Sequence, residues 1–284
     1  MSRWALIWRR FRRNKVAIGG LIVIGVLFVL AFLGPLVTPW SYEQIDGTSF
    51  LKPPSPKHWF GTSQIGQDIF AQTMRGLQKS MIIGLLVGVI STSLAAFFGA
   101  TAGYFRGTVE RVNLFVISLL LVVPDFLIIA IISPRLRDSS WLWLVLLISI
   151  FTWMLTAMVI YNLTLSLKQR EFVTAARFMG VPARQIITRH ILPNMASFLI
   201  IDATLSVGAA VLLESGLSYF GFGVQPPDVS LGTLIADGTG SALTYPWVFL
   251  FAGAFLVILV LAVSVVGDGL RDAVDPQSQA KAEL

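Results

Sequence analysis

Six apolar runs divide the chain, at residues 16–37, 81–103, 112–133, 141–163, 196–217 and 247–267. Each reaches the roughly 20 residues that a helix needs to cross hydrocarbon. The expected fold class is therefore all-α: a polytopic membrane protein with six transmembrane helices. The polar stretches set the organisation. Residues 1–15 form a basic arm, 16–37 the first helix, and 38–80 a segment outside the membrane. Residues 81–267 form a core of five helices, and 268–284 a tail.

One polar island, residues 171–194 (EFVTAARFMGVPARQIITRHILPN), has an internal pattern of its own. Phe172, Ala175, Ala176 and Met179 follow the i, i+3, i+4, i+7 spacing of one helical face, with Glu171, Thr174 and Arg177 opposite. Gly180 stands where a helix ends in a left-handed residue. Pro182 suits the first turn of a second helix, where its missing N–H costs nothing. There Ala183, Ile186, Ile187, His190 and Ile191 repeat the apolar spacing. The expectation is a helix over 172–179, a glycine hinge and a second helix, with an apolar stripe that needs covering.

Charge then orients the chain. Composition is 55% hydrophobic and 13% charged, with a net charge of +6. With the N-terminus inside, the inner segments 1–15, 104–111, 164–195 and 268–284 hold 6, 2, 5 and 2 Lys and Arg. The outer segments 38–80, 134–140 and 218–246 hold 4, 2 and none. The positive-inside rule places both termini in the cytoplasm of a multi-pass protein of the cytoplasmic membrane. The basic charge is topology rather than a nucleic-acid site, and the arm 1–15 suits anionic lipid headgroups. No cysteine is present, which excludes disulfides and thiolate chemistry. The two histidines, His58 and His190, fall on opposite sides of the membrane in this topology and share no metal.

Three acidic residues fall inside apolar runs, where charge is costly and faces protein or water. Asp125 follows Pro124 in the third run, and it either lines a pathway or pairs with a neighbouring subunit. Asp202 and Glu214 share the fifth run, about 18 Å apart along a helix axis. They are not a catalytic pair; both are candidate pathway or interface groups, and an interface hydrogen bond is the expected use of Glu214. The second run carries Gly84, Gly88, Gly99 and Gly103, which suit close helix packing in lipid.

The island resembles the signature loop of bacterial ABC-importer permeases. Thr174-Ala175-Ala176, three residues, Gly180, nine residues and then His190-Ile191-Leu192-Pro193 follow that family's spacing. Thr174 stands in place of an acid and His190 in place of an aliphatic residue. The stretches around Gly61, Thr62, Gly66 and Asp68, around Gly221, Gly223, Gln225, Pro226 and Pro227, and GDGLRDAVDP (residues 267–276) are similar to the peptide branch. Family members usually carry an apolar residue where this chain has Asp125.

The resemblance implies a type I ABC importer permease fold and the second, C-type permease of an oligopeptide, dipeptide or nickel importer. It implies that the loop docks on an ATPase through Glu171, Phe172, Ala175, Ala176, Met179, Gly180, Pro182, Leu192 and Pro193. It further implies a heterodimer with a homologous permease, two ATP-binding subunits and an extracytoplasmic substrate-binding protein. No cofactor belongs to this chain, ATP and Mg being held by partners. The sequence has no Gly-x-x-x-x-Gly-Lys-Ser/Thr loop and no Gly-x-Ser-x-Gly elbow, and so no ATPase or hydrolase signature. The alternatives are a nickel-type permease, an ion-coupled transporter using Asp125 and Asp202, and a non-transporting scaffold.

Overall fold

The computed structural model describes residues 3–136 and 140–274. Arg137, the last two residues of the GDGLRDAVDP motif and the rest of the tail lie outside the described residues. Helix α1 (Arg3–Phe11) precedes the first apolar helix, α2 (Lys15–Val37). Asn14 caps α2 by accepting the Ala17 N–H at 3.1 Å, as a short polar side chain does at an N-cap. Next come α3 (Ile69–Phe105), α4 (Gly107–Val122), α5 (Asp125–Ile132), α6 (Leu142–Thr152) and α7 (Met154–Lys168). The island forms α8 (Glu171–Phe178), α9 (Ala183–Ile186) and one turn, α10 (Leu192–Asn194). The last helices are α11 (Ala196–Tyr219), α12 (Leu231–Thr239) and α13 (Trp247–Val274).

Four of these helices are long and apolar enough to cross a membrane, and two bent pairs bring the number to six. The third run is not one straight helix: α4 and α5 meet at an angle of 77°. Pro124 caps α5, and its ring removes a donor and disfavours helix for the residue before it. The fourth run also bends, by 47° at Trp153 between α6 and α7. There Ser149 donates to the Val145 carbonyl oxygen and Thr152 to that of Ile148, back-bonding that bends helices.

Helix α3 begins at Ile69 rather than near Met81. Asp68 caps it, accepting the Ala71 N–H at 2.8 Å, and residues 69–74 are all buried. Segment 38–68 wraps this end of the helix on several sides, so no amphipathic period marks it.

Helix α3 is the spine of the molecule, and α7 and α11 lie against it through its small residues. A Cβ added to Gly99 would lie 2.5 Å from the Ala157 carbonyl oxygen, and one added to Gly88 would lie 2.8 Å from that of Ala203. Helices α2 and α13 close the other side, where Leu27, Ala31, Leu77, Val211, Leu259 and Val263 share one buried cluster.

Candidate functional site

The hairpin 171–194 sits at one end of the bundle, beside the turn between α3 and α4. Lys168, at the end of α7, donates to the Tyr104 carbonyl oxygen and lies 5.3 Å from the centre of that ring. Tyr161 donates to Glu110, which also pairs with Arg106 at 3.7 Å. These contacts fix the platform from which α8 departs.

Helix α8 ends as its sequence demands. Gly180 has φ +76°, its N–H bonds the Arg177 carbonyl oxygen, and the Val181 N–H bonds that of Ala176, both at 3.1 Å. This pair of bonds is the Schellman cap. Beyond it, Pro182 is the N-cap of α9 and not its first helical residue. The second helix is not regular either: residues Ile187–Ile191 form a π turn, with the Leu192 N–H reaching the Ile187 carbonyl oxygen. The widened turn falls just ahead of Pro193, which has no N–H to give.

The hairpin has two apolar faces, where the spacing predicts one. Val173 and Ala176 are each only 2% exposed, and with Ile186, Ile187 and Ile191 they join Ala95, Ala100, Met154, Ala157 and Ile160 in a single core. Ala176 therefore belongs to the inner face. Phe172, Ala175 and Met179 point outward with Phe178, and Phe178 is 88% and Met179 76% exposed. Apolar pairs at 172–173, 175–176 and 178–179 are the signal for two stripes, and they add Val173 on the inner face and Phe178 on the outer face to the positions the single-stripe reading named. Leu192 is half-buried and Pro193 and Glu171 are exposed.

The three acids separate completely. Asp202 on α11 accepts hydrogen bonds from Thr92 of α3 and Thr156 of α7, each at 2.7 Å. Glu214 is fully buried, accepting from Ser218 at 2.6 Å and Ser80 at 3.4 Å. Ser80 in turn accepts the Leu231 N–H, and Ser218 that of Val224. Glu214 thus makes these hydrogen bonds inside this chain, joining α3, α11 and the loop before α12. Asp125 differs from both: its carboxylate accepts the N–H of Phe126, and among the described residues no cation pairs with it. It borders a cavity of about 440 Å³ where the two broken spans meet α11, shared with Thr152 and Ser206.

At the opposite end of the bundle, His58 is 2% exposed between two carboxylates. Its Nδ1 lies 2.8 Å from Asp68 and its Nε2 3.3 Å from Asp46. Lys57 and Thr48 also bind Asp46, and they hold its carboxyl well below the usual carboxylate range. Lys79, buried beneath the Trp141 ring at 4.4 Å, pairs with Asp228 at 2.9 Å. Arg75 reaches the same carboxylate at 3.3 Å. This end is a hydrogen-bonded cap joining segment 38–68, α3 and the loop 220–230.

Comparison with known proteins agrees with this architecture. Residues 95–279 match the family described as binding-protein-dependent transport system inner membrane component. Residues 2–54 match the N-terminal TM domain of oligopeptide transport permease C. An oligopeptide transport system permease of Mycobacterium tuberculosis is 53% identical over 98% of this chain and 96% of its own length. The Bacillus subtilis protein of the same description is 32% identical over 98% of this chain and 90% of its own. A dipeptide transport system permease of Bacillus subtilis is 34% identical over 95% of this chain and 84% of its own. In fold, the chain is similar to the MetNI methionine ABC transporter in an inward-facing conformation, with a TM-score of 0.57, 18% identity, and coverage of 72% of this chain and 96% of that one. With half-broken spans packed on one spine helix, a capped hairpin and these matches along its length, this chain belongs to the binding-protein-dependent transport inner-membrane components, as a C-type permease with the type I ABC importer fold.

Proposed function

We propose that this chain is a permease subunit of an ATP-driven importer that carries peptides across the cytoplasmic membrane. Its relatives are described as oligopeptide and dipeptide permeases, which supports the substrate class. The observation that carries the mechanism is the outer face of α8. Phe178 and Met179 stand almost fully exposed on a hairpin whose inner face belongs to the core of the spans. Exposed apolar side chains, one of them aromatic, on a helix that also carries Glu171 and Arg177 are the composition of a docking surface.

In this reading the hairpin lies in the cytoplasm with both termini, which the distribution of Lys and Arg supports. Phe172, Ala175, Phe178 and Met179 meet an ATP-binding subunit, while Val173 and Ala176 transmit its displacement. Gly180, Pro182, Leu192 and Pro193 shape the hairpin that joins α7 to α11, and both helices move as rigid bodies when the ATPase pair closes. ATP and Mg belong to those two subunits. A homologous permease completes the pathway, and an extracytoplasmic binding protein delivers substrate to the capped end. Asp125 lines that pathway beside Thr152 and Ser206, where a carboxylate without a cation partner meets the ammonium group of a peptide. Asp202 and Glu214 are structural, because hydroxyl groups of this chain already occupy their carboxylates. Asp125 and Asp202 thus sit in different surroundings, which weighs against one ion site shared by the two.

The test is uptake of labelled short peptides in cells lacking this chain, with nickel uptake in parallel. Peptide uptake is expected to vanish on deletion and return on complementation. It is expected to survive collapse of the proton gradient and to fail on ATP depletion. Uptake that instead follows the proton gradient overturns the ATP-driven reading, and a defect in nickel alone overturns the substrate.

A further inference from the structure

Asp202 is the only side chain on which three spans meet among the described hydrogen bonds. Helix α3 packs on α11 through Gly84 and Gly88, then on α7 through Gly99 and Gly103. Thr92 lies between these two zones, at the crossover. Its hydroxyl donates to one oxygen of Asp202, and the hydroxyl of Thr156 donates to the other. Thr156 stands just past the bend at Trp153. One carboxylate therefore ties the spine to both helices from which the hairpin hangs.

We propose that Asp202 is the joint that makes α3, α7 and α11 move as one body when the hairpin is displaced, a positioning residue for transport that contacts neither substrate nor nucleotide. This rests on the coupling role of the hairpin. Glycine contacts resist compression of α3 against its neighbours but not sliding along them, whereas hydrogen bonds to fixed carboxylate oxygens are directional. In a lipid-bounded interior, three helices held by apolar packing alone slide more easily than helices pinned at a shared acceptor. The pin lies about 9 Å into α11 from its hairpin end. There a small rotation of the hairpin arrives as a displacement of the spine, and α3 carries it to the cap at Asp68. Without the joint, α7 and α11 follow the hairpin and α3 lags, so ATP is hydrolysed without the access change.

The test uses the complete transporter in liposomes, with peptide uptake and ATP hydrolysis measured on the same sample. Asp202→Asn keeps an acceptor and gains a donor that the Thr hydroxyls can accept, so its uptake per ATP stays near the unaltered value. Asp202→Leu, of similar length, is expected to lower uptake per ATP about tenfold, the loss of hydrogen bonds to a charged group. Its hydrolysis stimulated by the binding protein should remain. Thr156→Val and Thr92→Val each remove one arm and should fall between. Should Asp202→Leu fail to assemble, the two threonine variants carry the test, since Val keeps the packed volume. Wild-type uptake per ATP in these variants overturns the joint. So does a loss of uptake matched by an equal loss of hydrolysis and of thermal stability, which is the signature of mere destabilisation. Gly180→Val separates the two readings. If it leaves uptake per ATP unchanged, the hairpin is not the coupling element. If it uncouples transport while the Asp202 and threonine variants do not, the joint alone fails.

Discussion

Single residues here act through conformation and charge more than through contact. Gly180 has a positive φ, yet a Cβ at that position would meet nothing within 4 Å in this chain. The penalty for substitution is therefore backbone strain, roughly 1–2 kcal/mol for an ordinary residue in the left-handed region. Gly180→Asn should transport near the unaltered rate, because Asn tolerates that region, whereas Gly180→Val should lose most transport while still inserting. Uptake in membranes with matched permease content measures both. Asp46 makes a second prediction, about acid. Its folded pKa lies below the ordinary 3.8 chiefly through the bond from Lys57. The stabilisation it provides is therefore complete above that value and is lost only as pH falls below it. Hydrogen exchange of residues 44–68 should be insensitive to Asp46 between about pH 7 and 5, and the protection should decline below about pH 4. In Asp46→Asn that acid-dependent step should shrink. The glycine was legible in the sequence because only one residue type suits its conformation. The Asp46–His58–Asp68 cluster was not, since its members meet only after the chain folds back over α3.

Elements were legible where one physical cause acts locally. Apolar length located the spans, and the proline at 124 marked a disturbance in the third. The bend in the fourth was hidden, because Ser149 and Thr152 cause it through side-chain bonds that such residues make in straight helices too. The early start of α3 was hidden because a helix buried on every side has no polar face to set a period. Glycine spacing did point to α3 as an interior helix, and the contacts make that quantitative. Gly99→Leu must push apart α3 and the Ala157 backbone, an overpacking that costs about 1–3 kcal/mol or more. Gly25→Leu, at an exposed position where a Cβ meets nothing within 4 Å, should cost little. Thermal unfolding in detergent should therefore show a clear fall in Tm for the first and almost none for the second. Equal falls would mean that the spine packs differently.

At the scale of the whole molecule, the architecture is a spine helix pinned at three depths. Glu214 fixes it to α11 and the loop before α12, Asp202 to α7 and α11, and the small residues of its last turns to α7 near the hairpin. Fold class and family were readable because hydropathy and loop spacing are one-dimensional signals. The division of the hairpin into inner and outer faces was only half readable, since an eight-residue helix with apolar pairs offers two stripes and only packing chooses between them. Placed at the cavity between the two broken spans, Asp125→Asn should slow peptide uptake several-fold, about the worth of one charge-assisted hydrogen bond, and leave the purified complex intact. Loss of a partner permease on purification would show instead that Asp125 pairs across subunits.

Coupling through α8 requires that its outer face be covered when the transporter assembles, and the absence of cysteine makes that directly measurable. Phe178→Cys and Val173→Cys each place a single thiol in this chain. Maleimide labelling is then compared between the permease pair alone and the complete complex, in sealed vesicles of known orientation. The thiol at 178 should react readily in the permeases alone, only from the cytoplasmic side, and become protected when the ATPase binds. The thiol at 173 should react in neither state. A thiol at 178 that labels equally with and without the ATPase, or from the opposite side, would contradict the coupling surface proposed for this hairpin.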